Sequence, residues 1–202
     1  MLANYSARLP SLELNNTFYR FPQIRALDNW RESAPVGFEY CLKAHRSLTY
    51  SAEGYDRLGA ARNFGALVEV LGNRAGPILL QFPPSRPLDL GLLAGLLDTL
   101  ARPAAVEFRH PSWFEPKTNL VLMEYGAALV VTDDEGWPKA PITPTGPIAY
   151  YRLRRDYVES DLVAWAEEIK PELEERDAVH VYFKHEAEGP MRALRLLELL
   201  GG

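Results

Sequence analysis

The 202-residue sequence has almost no cysteine and no long hydrophobic run. Cys41 is the only cysteine, so no disulfide can form within the chain, as expected of a protein in a reducing cytoplasm. No apolar run approaches the roughly 20 residues that cross a bilayer, and the first residues lack the basic and apolar regions of a signal peptide. We therefore expect a cytoplasmic protein with no membrane partner.

An excess of positive charge is also lacking. The 22 Lys and Arg residues are outnumbered by 27 Asp and Glu residues, and the resulting net charge of −5 gives little support to broad attraction for nucleic acid. The hydrophobic share of 47% and the charged share of 24% are typical of a soluble globular protein. The length suits a single domain that spans residues 1–202.

Strand and helix signals alternate along the whole chain. Apolar residues at helical spacing lie between most strand-like segments, for example from Leu88 to Leu100 and from Leu162 to Ile169. This alternation is typical of a parallel sheet with helical crossovers. The strand-like segments are seven, at residues 11–19, 36–44, 76–83, 104–111, 127–134, 148–154 and 178–186.

The two faces of these segments differ in polarity. In residues 104–111, Val106 and Phe108 alternate with Glu107 and Arg109. A central strand of an open doubly wound sheet meets helices on both faces and should be apolar on both. In a barrel, one face meets the helices and the other lines the lumen, which is polar near its mouth. The pattern predicts an α/β fold of the TIM-type (β/α) barrel class with seven parallel strands.

Several motifs carry a family resemblance. In order along the chain they are LELNNTFYRFP, GFEYCLKAHRSLTY, GPILLQFPPS, VEFRHPSWF, YYRLRRDY and VYFKHE. Together they resemble the YecE-like family of TIM barrels, known as domain of unknown function 72. The resemblance implies a (β/α) barrel and supplies no settled reaction. Members usually begin with a strand resembling GTSGWSY, so we expect the first strand to be missing. The open barrel edge could then be covered by a loop or by another chain, which would make an oligomer.

Functional groups of TIM barrels lie at the C-terminal ends of the strands. The expected catalytic residues there are Glu13, Lys43, Glu107, Arg152 and Lys184. Cations can hold an anionic group, carboxylates can transfer protons, and a desolvated lysine can form a Schiff base. The same residues equally suit a salt-bridge network that fills the lumen. The expected substrate-binding residues are Asn15, Gln81, Arg109, His110, Trp113, Asp133, Trp137 and Tyr182.

The leading functional hypothesis is an enzyme that uses acid–base or metal-assisted chemistry on a small anionic or sugar-phosphate-like substrate. His45, His110 and His185 follow strand ends and, with nearby carboxylates, suit Zn²⁺ or Mn²⁺. No local motif such as H-E-x-x-H accompanies them, so we assign no metal ligand and leave the cofactor open.

Two other classes of function remain open. One is a nucleic-acid binding or processing protein, favoured by the run Arg152, Arg154 and Arg155 and by a similarity of such barrels to endonuclease IV. The overall acidity of the chain opposes this class. The other is a barrel that binds a ligand without catalysis.

Overall fold

The computed structural model describes residues 5–184 and 187–201. Strands form at all seven predicted positions and are shorter than predicted. The strands are β1 (Ser11–Leu14), β2 (Glu39–Leu42), β3 (Ile78–Phe82), β4 (Ala104–Phe108), β5 (Ala128–Asp133), β6 (Ile148–Leu153) and β7 (Ala178–Phe183). The helices between and after them are α1 (Ile24–Ser33), α2 (Arg57–Glu69), α3 (Leu90–Leu100), α4 (Pro116–Glu124), α5 (Glu159–Glu175) and α6 (Gly189–Leu199).

Acidic side chains mark the beginnings of several helices. Asp56 precedes α2 and accepts a hydrogen bond from the Gly59 N–H at 2.7 Å, and Asp89 precedes α3 and accepts one from the Leu92 N–H at 2.9 Å. Each bond satisfies an N–H group that the first helical turn leaves without a partner.

Among the described residues, no helix is both long and apolar enough to span a membrane.

All strand pairs are parallel. One sheet contains five strands in the order β3-β4-β5-β6-β7, and β1 pairs with β2 in a second sheet. An isolated bridge between Lys43 and Leu79 links β2 to β3, and the Ala44 N–H donates to the Leu79 carbonyl at 2.8 Å. In the described part of the chain no sheet closes, because β1 and β7 each have an unpaired edge. The prediction is thus confirmed as far as an α/β fold with parallel strands.

The unpaired edges of β1 and β7 nevertheless face each other. Cα atoms of the two strands approach within 8 Å, which is less than the roughly 9.5 Å that an intervening strand would require. The Tyr182 hydroxyl on β7 donates to Ser11 Oγ on β1 at 3.0 Å. The Tyr150 hydroxyl on β6 donates to the Glu13 carboxylate at 2.8 Å. The polar side of β1 therefore meets the polar sides of β6 and β7.

The helix-facing side of the strands forms the main apolar core. Val106 and Phe108 of β4 are buried there, together with four leucines of α3, namely Leu93, Leu96, Leu97 and Leu100. Trp113 is only 1% exposed and stacks on Phe108 with ring centroids 4.4 Å apart. Burying each large apolar side chain contributes about 1.5–3 kcal/mol, so this layer is the main source of stability.

The side of the strands opposite the helices is partly polar, as the alternation predicts. In β5, however, the residue predicted to lie on this side is wrong by one position. The expectation is that Asp133 shares this side with Arg152. In the ladder, however, Thr132 pairs with Arg152, and Asp133 pairs with the core residue Leu153. The continuous apolar run that precedes Thr132 has no polar alternation, so the sequence did not reveal which residue faces which side.

Candidate functional site

A cavity of about 880 Å³ lies beyond the carboxyl ends of the strands and continues between the edges of β1 and β7. Its walls along β7 and α6 are largely apolar, with Val181 and Leu196 among them. At the strand ends the walls are polar and charged. The predicted site residues that line it are Glu13, Asn15, Lys43, Gln81, Arg109, Arg152, Tyr182 and Lys184.

Arg152 of β6 is the centre of a buried ion-pair network. Its guanidinium donates to Glu13 of β1 through Nε at 3.0 Å and Nη2 at 2.8 Å, and its Nη1 contacts Glu107 of β4. Arg152 and Glu107 are each 1% exposed. Buried charges are tolerated when they are paired, and the two carboxylates satisfy this requirement for Arg152. These three residues thus form the salt-bridge network that was one of the two predicted alternatives.

The two carboxylates accept further hydrogen bonds from Arg109 and from three neutral side chains. Glu107 Oε1 accepts from Gln81 Nε2 at 2.8 Å and from Arg109 Nε at 2.8 Å. The Glu13 carboxylate accepts from the Tyr150 hydroxyl at 2.8 Å and from Asn15 Nδ2 at 2.9 Å. The network therefore orders side chains from β1, β3, β4 and β6 at once.

The cations keep both carboxyl groups ionised. Burial alone would raise the pKa of Glu107, but Arg152 and Arg109 outweigh burial and lower that pKa to about 2. The pKa of Glu13 is likewise lowered, because Arg152 and the hydrogen bonds overcome the opposing effect of burial. A general acid or base works best with a pKa near the operating pH, so neither glutamate suits proton transfer near neutral pH.

Lys43 is the buried cation that the network leaves uncompensated. It directly follows β2, is 9% exposed, and its Nζ lies 4.2 Å from the centroid of the Phe18 ring. No ion pair or hydrogen bond joins its ammonium to any residue that the structure describes. Burial and the positive charge of Arg152 lower the pKa of Lys43 to about 8, and the negative charges of Glu107 and Glu13 oppose this only partly.

A count of formal charges also shows that the network leaves one positive charge uncompensated. Two carboxylates, Glu13 and Glu107, face three cations, Lys43, Arg109 and Arg152, so the cluster carries one net positive charge. This excess lies in a cavity wall. An anion is the ligand that would neutralise it.

Arg109 presents part of its guanidinium to the same cavity. Its Nε is held by Glu107, and its Cζ lies 4.5 Å from the centroid of the Trp137 ring. Its two Nη groups make no hydrogen bond within the described residues. The side chain is thus fixed by an ion pair and an aromatic ring, and it keeps donors for an oxyanion. Trp137 acts on the site by supporting Arg109.

Four predicted substrate-binding residues do not line the cavity: Trp137, which supports Arg109 as described above, and Trp113, His110 and Asp133. Trp113 lies in the core, where its Nε1 donates to the Arg86 carbonyl at 2.8 Å. His110 caps a short 3₁₀ helix by accepting from the Ser112 N–H at 3.2 Å. Asp133 accepts from the Tyr157 hydroxyl at 2.9 Å. Each of them has a structural partner, and we propose no ligand contact for them.

The arginine run at the end of β6 does not form a continuous basic surface. Arg152 is buried in the network, Arg154 lies 3.4 Å from Asp134, and Arg155 lies 3.3 Å from Asp133. Because each guanidinium has a carboxylate beside it, the run gives no specific support to phosphate-backbone binding.

The two described histidines that were considered for a metal site, His45 and His110, make local contacts instead. Nδ1 of His45 accepts from the Ser47 N–H at 3.2 Å, and its ring packs on Phe21 with centroids 4.3 Å apart. Within residues 5–184 and 187–201, no group of three or more His, Cys, Asp or Glu side chains could hold a metal ion. His185 lies outside the described residues.

Three residues near the site were not expected from the sequence. Tyr50 lines the cavity and its hydroxyl donates to Gln81 Oε1 at 3.3 Å, but it follows a loop that carries no periodic signal. Tyr150 could have been found, because it lies two residues before Arg152 on the same strand and therefore shares its face. The hydroxyl of Thr132 is buried without a hydrogen-bond partner among the described residues.

Below the ion network lies an uncharged group of polar side chains. The Tyr182 hydroxyl contacts Cys41 Sγ at 2.8 Å, and His180 Nδ1 lies 3.9 Å from the same sulfur. Burial raises the pKa of the Cys41 thiol and lowers the pKa of His180 to about 4. At neutral pH both groups are uncharged, so this layer adds no charge to the cavity.

Comparison with known proteins identifies relatives but no reaction. The model of the family described as "Protein of unknown function DUF72" matches residues 1–202. The UPF0759 protein YunF of Bacillus subtilis (strain 168) is 26% identical over 146 residues, which cover 67% of this chain and 50% of that protein. The chain therefore spans about half the length of this curated relative.

Two solved structures have the same fold. A DUF72 family protein from Thermotoga maritima MSB8 has a TM-score of 0.84 and 26% identity, over 96% of this chain and 85% of that one. A DUF72 family protein from Enterococcus faecalis V583 has a TM-score of 0.83 and 18% identity, over 100% of this chain and 88% of that one. The second likeness bears on the fold alone.

Proposed function

The chain belongs to the DUF72 family of proteins of unknown function, and from its cavity we propose that it is an enzyme acting on a small anionic substrate, with Lys43 as its reactive group. The observation that carries this proposal is the Lys43 ammonium, which is 9% exposed in a cavity wall and has no counter-ion among the described residues. A buried cation without a counter-ion costs free energy, and a bound phosphate or carboxylate would remove that cost.

Arg109 supplies the second contact to the anion. Its Nη groups make no hydrogen bond to the described residues and form a planar fork that matches two oxygens of a phosphate or carboxylate, whereas Lys43 provides a point charge. The cavity volume of about 880 Å³ is that of a pocket for a small metabolite, and its apolar wall along β7 and α6 would accept the remainder of the ligand. A sugar-phosphate-like substrate fits this combination.

The Arg152 network has a positioning role in this proposal. Glu107 orients Arg109 through its Nε, and Arg152 holds Glu107 and Glu13 in their ionised form. Of the five expected catalytic residues, the proposal thus gives the reactive role to Lys43 and not to the two glutamates.

We further propose that the strands follow a TIM-type barrel that is open between β1 and β7. The contacts from Glu13 to Tyr150 and from Ser11 to Tyr182 support it, because they join side chains of strands that do not pair. In such a barrel the carboxyl ends of all strands share one mouth, where the cavity lies.

Calorimetric titration with inorganic phosphate tests the proposed function. Replacing Lys43 with methionine removes a charged donor that contributes about 1.5–3 kcal/mol, so we expect binding to weaken by about 10- to 100-fold. Lys117→Met is the matched control, since Lys117 is 51% exposed on α4 and pairs with Glu115. Equal phosphate affinities in Lys43→Met and the wild type would overturn the proposal.

A further inference from the structure

We propose that Lys43 is a nucleophile that forms an imine with a carbonyl group of the anionic substrate. This inference rests on the function proposed above and specifies its chemistry. The substrate class is a small compound that carries a carbonyl carbon next to, or a few bonds from, a carboxylate or phosphate group.

The surroundings of Lys43 favour its neutral amine. An ammonium group has three donors and no acceptor, and the Lys43 ammonium has no hydrogen-bond acceptor among the described residues. The contact with the Phe18 ring offers a weaker interaction than a carboxylate would. An amine in this position is desolvated and lies beside other cations, which are the two conditions that activate a lysine for attack on a carbonyl.

The charged neighbours would orient the substrate without reacting with it. Arg109 offers its Nη groups to the carboxylate or phosphate, and guanidinium groups stay protonated under all ordinary conditions. Arg152 is fully engaged by Glu13 and Glu107. Lys43 is therefore the amine of this cluster that can lose its proton. The pKa of about 8 for Lys43 agrees with this assignment.

The proposed step balances without an oxidant, a reductant or a metal. The Lys43 ammonium releases a proton to water, and the amine nitrogen adds to the carbonyl carbon to give a carbinolamine. The carbinolamine oxygen then takes up a proton and leaves as water, and a protonated imine remains. The sum is one ammonium and one carbonyl giving one protonated imine and one water.

Reductive trapping tests this inference. The full chain is incubated at pH 8 with pyruvate, or with glyceraldehyde 3-phosphate as the phosphate-bearing probe, and sodium borohydride reduces any imine to a stable secondary amine. Peptide mass spectrometry then locates the adduct. We expect labelling of Lys43 to exceed that of the exposed Lys117 at least about 10-fold, because desolvation activates the amine, and we expect inorganic phosphate to suppress it.

The variant Lys43→Arg separates the imine from anion binding, since it keeps the charge and cannot form the imine. Phosphate binding retained in Lys43→Arg with trapping lost supports the inference. If Lys43 in the wild type is labelled no faster than Lys117 with either probe, the inference that Lys43 forms an imine is overturned. The proposed function still stands in that case if phosphate binding depends on Lys43. If phosphate binding is the same in Lys43→Met and the wild type, the proposed function fails and the inference falls with it.

Discussion

Replacing Glu107 with glutamine should destabilise the protein in a pH-dependent way. The two side chains have nearly the same shape, so the main change is the loss of one buried negative charge that faces Arg152 and Arg109. A catalytic role for Glu107 would predict that this substitution alters ligand binding with little effect on the fold. The buried network leads to the opposite expectation.

The magnitude follows from the pKa of Glu107, which falls from 4.5 to about 2 on folding. Since each unit is worth about 1.4 kcal/mol, the ionised carboxylate contributes about 3 kcal/mol. A lowered folded-state pKa means that this contribution is complete above pH 4.5 and is lost as the pH falls towards 2. In a chain of this size the loss at pH 7 corresponds to a Tm lower by about 6–12 °C.

Urea denaturation of Glu107→Gln and the wild type, from pH 7 down to the lowest pH at which both are folded, measures this difference. The gap in free energy of unfolding between the variant and the wild type should narrow below pH 4.5. Asp134→Asn is the control, because Asp134 pairs with Arg154 at 3.4 Å with side chains that are 25% and 27% exposed, and such pairs contribute less than about 1 kcal/mol. A Glu107→Gln variant as stable as the wild type at pH 7, or a gap independent of pH, would refute the reasoning.

Three other expectations follow from the structure. Lys43→Met in phosphate-free buffer at pH 7 should raise the free energy of unfolding by up to about 3 kcal/mol, because the lysine pKa falls from 10.5 to about 8 on folding. This gain in stability should vanish as the pH rises towards 10.5. A loss of stability in denaturant titrations would contradict the expectation. Trp113→Ala should lower the free energy of unfolding by about 3–5 kcal/mol, because the ring is buried against Phe108. Weaker ligand binding with little change in stability would instead indicate that Trp113 stacks on a ligand. The NMR shifts of the His180 ring should stay those of a neutral imidazole from pH 7 down to about 5, because burial lowers its pKa to about 4; titration near pH 6.5 would contradict the buried position.

The fold was largely predictable because burial leaves a clear periodic signal. In β4 the alternation of Val106 and Phe108 with Glu107 and Arg109 correctly separates the helix-facing side from the opposite side. In β5 the run before Thr132 is continuously apolar, so the pattern could not show that Thr132, and not Asp133, lies beside Arg152. Sheet closure depends on edge contacts between distant segments, which local periodicity does not record.

The candidate site was predictable as a set of residue types but not as a set of roles. Alternation places Glu13, Glu107 and Arg152 on one side of the strands. Only the distances show that these three residues form ion pairs with one another. Lys43 differs from them by having no carboxylate within ion-pairing distance among the described residues. That difference arises from the relative positions of β2 and β6, which no motif in the sequence encodes.

The most direct test of the account is the pKa of Lys43, followed by NMR of ¹³Cε-labelled lysine and assigned with Lys43→Met. The account predicts one lysine that titrates near pH 8 in phosphate-free buffer, and whose pKa rises when inorganic phosphate is added, because a bound anion favours the charged amine. A Lys43 that titrates near 10.5 with and without phosphate would contradict the claim that the cavity contains an uncompensated cation.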